Sequence, residues 1–306
     1  MKKIINLLFA LILITTCYAQ KEQLELNLIK GEVYTQKLNS HMSIIQTISG
    51  QEAKTEMFLS GITTYKVIEI HNSIYELEVR YESLSMKMIL PNGSVEFSSE
   101  KNDEKDIFST LLGLLKDKPF LIKMTKTGKI NEVSNIEKIF MGMFDKLPKL
   151  TEVQKQQIQN QLMQAYGEKA FKGNLEMCTA IFPDSAVSKG DKWVVQTKLE
   201  SGMAANMETT YELMEINDSY YRFSGTSKII TADKDAYVQS NGMTLKYDIS
   251  GTMYSDIKIN KTNGWVIDSK INQTMKGTTQ IKDNPQMPGG MTIPMTLNNE
   301  MTISDK

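Results

Sequence analysis

From Met243 to Ile259 every second residue is apolar or small, the period of a β-strand with one buried and one wet face. Met243, Leu245, Tyr247 and Ile249 open the apolar set, and Met253, Ile257 and Ile259 continue it past Gly251 and Ser255. Thr244, Lys246, Asp248, Thr252 and Lys258 make the other face. The same period returns in Trp265, Ile267, Ile271 and Met275, and again in Met291, Ile293, Met295, Leu297, Met301 and Ile303. Three long amphipathic strands therefore follow one another. A strand from 243 to 259 spans on the order of 55 Å at about 3.3 Å per residue, longer than ordinary strands. Twist, with bends at points such as Gly251, is expected to curl such a sheet around its apolar face. Pro294 has no N–H for a ladder, which predicts an edge or a bulge there.

The chain also repeats itself. Residues 63–75 (TTYKVIEIHNSIY) and 209–221 (TTYELMEINDSYY) agree at seven of thirteen positions. KGEVY at 30–34 precedes the first and KGDKW at 189–193 the second, while IKMTKTG at 122–128 and IKINKTNG at 257–264 follow in the same order. Collinear matches of this kind are the mark of a duplicated unit. Thr63 to Ile122 is 59 residues and Thr209 to Ile257 only 48, so the first copy carries an insertion. Ile107, Phe108, Leu111, Leu114 and Leu115 predict that it is a helix over 104–117, closed by Pro119. Within the first copy the apolar set moves from Tyr75, Leu77, Val79 and Tyr81 to Leu84, Met86 and Met88, a switch that a bulge near Ser83 would produce.

Between the copies lies a helical block. Ser134 with Glu137 forms a capping-box pattern ahead of Ile136, Ile139, Phe140, Met143 and Leu147, and Pro148 ends that segment. Thr151 with Gln154 starts another helix through Ile158, Leu162 and Ala165. The expected organisation is a leader over 1–19, a first β repeat over 20–133, a helical connector over 134–182 and a second β repeat over 183–306. The fold class is mainly antiparallel β, an α+β protein whose duplicated, strongly curved sheet forms a half-barrel of long strands under a helical lid.

Lys2 and Lys3, the apolar run from Ile4 to Ile14 and the small residues Cys17 and Ala19 have the layout of a signal peptide cut before Gln20. Acylation of Cys17 is the alternative. Export to the periplasm or the outer membrane surface follows from either. Without the leader's two lysines, 33 of the 35 basic residues face 36 acidic ones, a balance that excludes a nucleic-acid binder built on a basic patch. Only Cys178 then remains, so no disulfide closes within the chain. No apolar run after the leader has the length of a membrane helix.

No catalytic motif emerges. His41 and His71 have no Cys or carboxylate at ligand spacing, and no nucleophile elbow, phosphate loop or zinc-protease motif is present. Cys178 sits among Leu175, Met177, Ala180, Ile181 and Phe182, the setting of a packed thiol rather than a nucleophile. Asn102, Asp103 and Glu104, and likewise Asp233 and Asp235, lack the spacing of a calcium loop. Arg80 beside Glu76 and Glu78 reads as a surface ion pair. Neither a metal nor a cofactor is implied.

Methionine stands out, with 20 residues. Many lie on the apolar strand faces, where β-branched residues suit the backbone better. Flexible, polarizable thioethers serve an adaptable core and an adaptable lipid pocket equally well.

The Ala19–Gln20 junction, the lysine-glycine-acidic-x-aromatic starts at 30–34 and 189–193, the Thr-Lys-x-Gly turn at 125–128 and the Phe-Pro at 182–183 resemble an uncharacterised family of exported Bacteroidota proteins, a domain of unknown function. That resemblance carries no activity. In architecture the chain resembles periplasmic lipoprotein carriers of the LolA and LolB kind, which implies an unclosed barrel holding acyl chains under a helical lid. It departs from them in its greater length and in having no arginine on an apolar strand face.

The reading that joins these observations is a non-enzymatic envelope protein that binds an apolar or lipid-like ligand between curved sheet and helices. Its lining would come from Met243, Leu245, Tyr247, Ile249, Met253 and Ile257 on the first strand. Trp265, Ile267, Ile271 and Met275 would follow on the second, Met291, Ile293, Met295 and Leu297 on the third, with Phe140 and Met143 from the lid. The alternatives are an interaction module with a filled core and, third, an enzyme of unknown class.

Overall fold

A computed structural model describes residues 21–101, 106–144, 151–201, 203–240, 243–285 and 287–305. Ala19, Gln20 and Cys17, the 102–104 acidic cluster, Leu147 and Pro148 lie outside them. The strands are β1 (Val33–Ile48), β2 (Gln51–His71), β3 (Ile74–Leu90), β4 (Gly93–Ser98), β5 (Phe120–Thr125) and β6 (Ile130–Ser134), followed by β7 (Lys192–Ser201), β8 (Met203–Ile216), β9 (Tyr220–Thr231), β10 (Val238–Ser240), β11 (Met243–Asn260), β12 (Val266–Ile281) and β13 (Met291–Ser304). All belong to one antiparallel sheet of 13 strands in the order β6-β5-β3-β2-β1-β13-β12-β11-β9-β8-β7, with β4 on β3 and β10 on β11. The fold is thus mainly antiparallel β, one large, curved, open sheet.

The alternation seen in the sequence sets which face is buried. Leu245, Ile249, Met253, Ser255, Ile257 and Ile259 of β11 are buried, and the residues between them are half-buried or exposed. Gly251 and Gly277 sit where β11 and β12 press together: a Cβ at either would run into the other strand's backbone. The pairing of β2 with β3 skips a residue between Ile62↔Ser83 and Thr63↔Tyr81, which puts a bulge at Glu82 and moves the apolar set of β3 as its sequence predicts.

The matching segments take matching places. Gly31 and Gly190 have φ of 88° and 89°. Gly31 N–H donates to Val67 O and Val67 N–H to Glu32 O; Gly190 N–H donates to Leu213 O and Leu213 N–H to Asp191 O. The register then skips at Ile68 in one copy and at Met214 in the other. Strands β1, β2, β3, β5 and β6 therefore correspond to β7, β8, β9, β11 and β12. The extra strand β13 joins the copies by pairing with both β1 and β12.

That position corrects the expected edge at Pro294. β13 is central, but β1 pairs with it only as far as Gln46↔Met295. Pro294 is the next residue and pairs with β12 alone, so its missing N–H lies where the sheet is locally an edge.

Four helices lie among the described residues: α1 (Ile107–Leu115), α2 (Ile136–Phe144), α3 (Glu152–Tyr166) and α4 (Glu168–Thr179). α1 is shorter than the expected 104–117, because the Asp106 side chain caps it by accepting from Ser109 N–H and the chain leaves it at Lys116. The capping box at Thr151 and Gln154 forms. The one expected at Ser134 and Glu137 does not: Ser134 is the last residue of β6, paired with Leu121, and its hydroxyl donates to Glu132.

The helices run in a chain around the open side of the sheet. α1 packs on β4 and α2, α2 on β5 and α3, and α3 on α4 and β7. α4 touches both free edges, β6 and β7. It falls within the expected helical connector over 134–182 but has no clean periodic signal of its own, because Lys169, Lys172 and Gly173 dilute the stripe made by Phe171, Leu175 and Cys178. Gly173 is needed there, since a Cβ would press on Lys198 O.

One core joins both copies and the helices. Tyr65 and Tyr211, equivalent residues of the repeat, are both buried in it. Leu24, Leu26 and Leu28 enter the same core from a segment whose backbone bonds Lys126 O and Asn263 O, in the two equivalent Gly turns.

Candidate functional site

The register of the sheet lays its inward side chains out in rows. One row crosses six strands from β3 to β11: Met88, Met57, Met42, Asn299, Gln273 and Met253. On one side of it lie Ile44, Leu297 and Met275, and on the other Met86, Leu59, Ser40, Met301 and Ile271. No inward position of β1, β11, β12 or β13, nor of β2 before Tyr65 or β3 after Glu82, holds a charged residue or a histidine.

Cover over this wall is uneven. On the second copy's side Met253, Ile271 and Met275 are all at least nine-tenths buried. On the first copy's side Met42, Ile44, Met57, Leu59, Met86 and Met88 are only half-buried. The cause is strand length: β1 and β2 have 16 and 21 residues where their counterparts β7 and β8 have 10 and 14. The extra length of β1 and β2 carries this half-buried apolar face, which is the candidate site.

The expected lining residues fall into three groups. Ile249, Met253, Ile257, Ile271 and Met275 are core, as is Trp265, whose ring lies 5.1 Å from that of Tyr34. Phe140 and Met143 are buried on α2, which packs against β5. Leu245 and Ile293 center a small second cluster with Met243, Tyr247 and Met291 packed on it. Met295 is half-buried beside Leu297 on the open part of the wall, and Ile267 is half-buried at the start of β12. The half-buried first-copy methionines Met42, Met57, Met86 and Met88 lie outside the expected lining. Their alternation is legible in the sequence, but their place beside β13 rests on pairing between the two ends of the chain.

Titratable groups in the interior are held neutral. Burial pushes the Cys178 thiol up to about 12, so it is not a nucleophile at ordinary pH. Burial raises Tyr65 and Tyr211 too, with Cys178 adding in the same direction.

Two other concavities lie elsewhere on the sheet, the first lined mainly by apolar surface and the second mainly by polar groups. A groove of about 460 Å³ on the outer face is lined by Phe58, His41, Lys87, Lys270 and Glu300. His41 stacks on Phe58 there with ring centers 4.4 Å apart. A cleft of about 440 Å³ lies at the seam of the sheet edges, between Lys129, Asp184 and Trp193. Asp233 accepts from the N–H groups of Asp235 and Ala236, the geometry of a turn. Arg80 donates to Glu78 and to Asp117 O, and Arg222 forks onto Asp256, each on the outer face. Among the described residues no three His, Cys, Asp or Glu side chains gather as metal ligands.

These features define a class: an open, curled antiparallel sheet whose apolar inner face is buried along β11 and β12 and only half-buried along β1, β2 and the end of β3. The chain belongs to DUF6263, a family of unknown function, which it matches over residues 72–266. No curated protein matches it. Among solved structures it is similar to lipovitellin, in a structure describing lipid–protein interactions, at TM-score 0.50 and 9% identity, covering 92% of this chain. The chain spans about a quarter of lipovitellin's length, 25%, and the likeness is one of fold. An outer membrane channel from Pseudomonas putida F1 aligns over 92% of this chain and 97% of its own at 8% identity, with a TM-score of 0.26.

Proposed function

We propose that this is a non-enzymatic, exported envelope protein that binds an apolar or lipid-like ligand in the trough formed by β3, β2, β1 and β13. The observation that carries the proposal is the uncharged, methionine-lined wall left half-exposed on the first copy's side, continuous with the buried wall of the second. A contiguous apolar face of this kind marks a binding site more often than idle surface. Unbranched thioethers adapt to chains of different shape. An acyl chain covering about 250 Å² of it would gain about 6 kcal/mol at about 25 cal/mol per Å². The fold likeness to a protein known for lipid interactions supports the same reading. The leader-like start of the sequence supports export, with the periplasm or outer membrane surface as its site of action.

The competing reading, an interaction module with a filled core, draws on the second copy's half of the wall, which is packed shut. Titration with N-phenyl-1-naphthylamine, a neutral fluorophore that brightens in apolar surroundings, separates the two. The ligand reading predicts saturable binding that Met57→Glu weakens at least tenfold while the variant still unfolds cooperatively, because Met57 is half-exposed. Absence of saturable binding, or equal binding by the variant, would favor the filled module.

A further inference from the structure

The middle of the apolar row is polar. Asn299 and Gln273 face each other across β13 and β12, each 8% exposed, with Met42 on one flank and Met253 on the other. Above and below them run Leu297 and Met275, then Met301 and Ile271. Ser40 donates to Asn299 Oδ1 at 2.7 Å, which fixes the orientation of that amide and leaves its N–H₂ group unused. Among the described residues Gln273 has no side-chain hydrogen bond, and the two amides do not bond each other. Two nine-tenths-buried amides thus face one another inside a ring of apolar side chains, and neither has a polar atom among the fully buried ones left without a partner, so their donors stay open to the space above the sheet. Donors so placed bond whatever reaches them, water or the acceptor of a ligand.

We propose that Asn299 and Gln273 form the polar recognition element of the trough, and that its ligand carries a neutral carbonyl, as an acyl ester or acyl amide does, flanked by hydrocarbon. This inference rests on the ligand-binding reading above and narrows it to a chemical class. A carbonyl oxygen has two lone pairs and can accept from both amides while its hydrocarbon lies along the methionines. A plain alkane leaves both amides unsatisfied. A carboxylate would accept from them as well, but it would bring an unpaired charge to a wall without a cation, which burial strongly disfavors.

Competition against bound N-phenyl-1-naphthylamine by methyl dodecanoate, dodecane and sodium dodecanoate tests this directly. The ester should displace the fluorophore at a concentration at least tenfold lower than either the alkane or the carboxylate. In Gln273→Met, checked for cooperative unfolding, that advantage should shrink to less than threefold while dodecane displaces as well as before. Gln273→Leu should behave the same way, which keeps the test sound if one variant folds poorly. Equal displacement by ester and alkane, or an ester advantage unchanged in both variants, would overturn this inference and leave the ligand reading intact. Failure of the fluorophore and all three competitors to bind would overturn both.

Discussion

Cys178 is the residue whose surroundings make the sharpest chemical forecast. Its thiol has an ordinary value of 9.0 when solvated and is pushed up to about 12 in the fold by burial. Between those values the unfolded chain releases a proton that the folded chain keeps, so stability should hold below the lower value and fall as pH rises through the interval. Tyr65 and Tyr211, raised for the same reason, add a loss of the same sign. Urea midpoints at about pH 8 and about pH 10 check this, and an equal or higher midpoint at the alkaline pH would contradict it. A thiol reagent should leave the native protein unlabeled and react once it is unfolded. The turn glycines allow a second test. Gly128 and Gly264 have φ of 78° and 72°, and a Cβ at either would overlap the backbone passing over it, Thr179 O for one and Glu25 O for the other. Gly50 has φ of 82° with open space around it. Gly128→Ala and Gly264→Ala should each cost about 3 kcal/mol or more, and Gly50→Ala only about 1 kcal/mol, by chemical denaturation.

At the scale of elements, what the sequence reveals depends on how local the cause is. The long strands of the second copy were legible because alternation over many residues has one structural meaning, and so was the slip near Ser83, where the apolar parity changes. The capping box at Thr151 is local and forms. The one at Ser134 fails because strand pairing with Leu121 takes that residue. α4 lies in the expected helical connector but is not delimited by its sequence, because Lys169, Lys172 and Gly173 interrupt its apolar stripe. The site follows the same rule: the inward faces could be read, but which part lies open depends on the pairing of β1 with β13, between opposite ends of the chain. The contrast between covered and open wall predicts different costs for like substitutions. Met253→Ala, in the closed half, should destabilize by about 2–5 kcal/mol, whereas Met42→Ala in the trough should cost about 1 kcal/mol and act on ligand binding instead.

For the whole molecule, duplication and closure produce a single body. One core contains residues from both copies, all four helices pack around it, and β13 stitches the copies into a continuous sheet. Unfolding followed by tryptophan fluorescence, with Trp193 in the second copy and Trp265 near the join, should coincide with unfolding followed by far-UV circular dichroism. Two separated transitions would mean that the halves stand independently. Such a body spends its hydrophobic surface on one closed half and leaves the other half of the same face open, and this asymmetry is the basis of the ligand proposal. It is tested most directly by mass spectrometry of organic extracts from the protein purified from its native source without detergent, beside a Met57→Glu form prepared identically. A reproducible acyl lipid, near one per chain, should accompany the native protein and be lost from the variant; clean extracts from both, or equal lipid in both, would mean that the open half of the face holds no ligand.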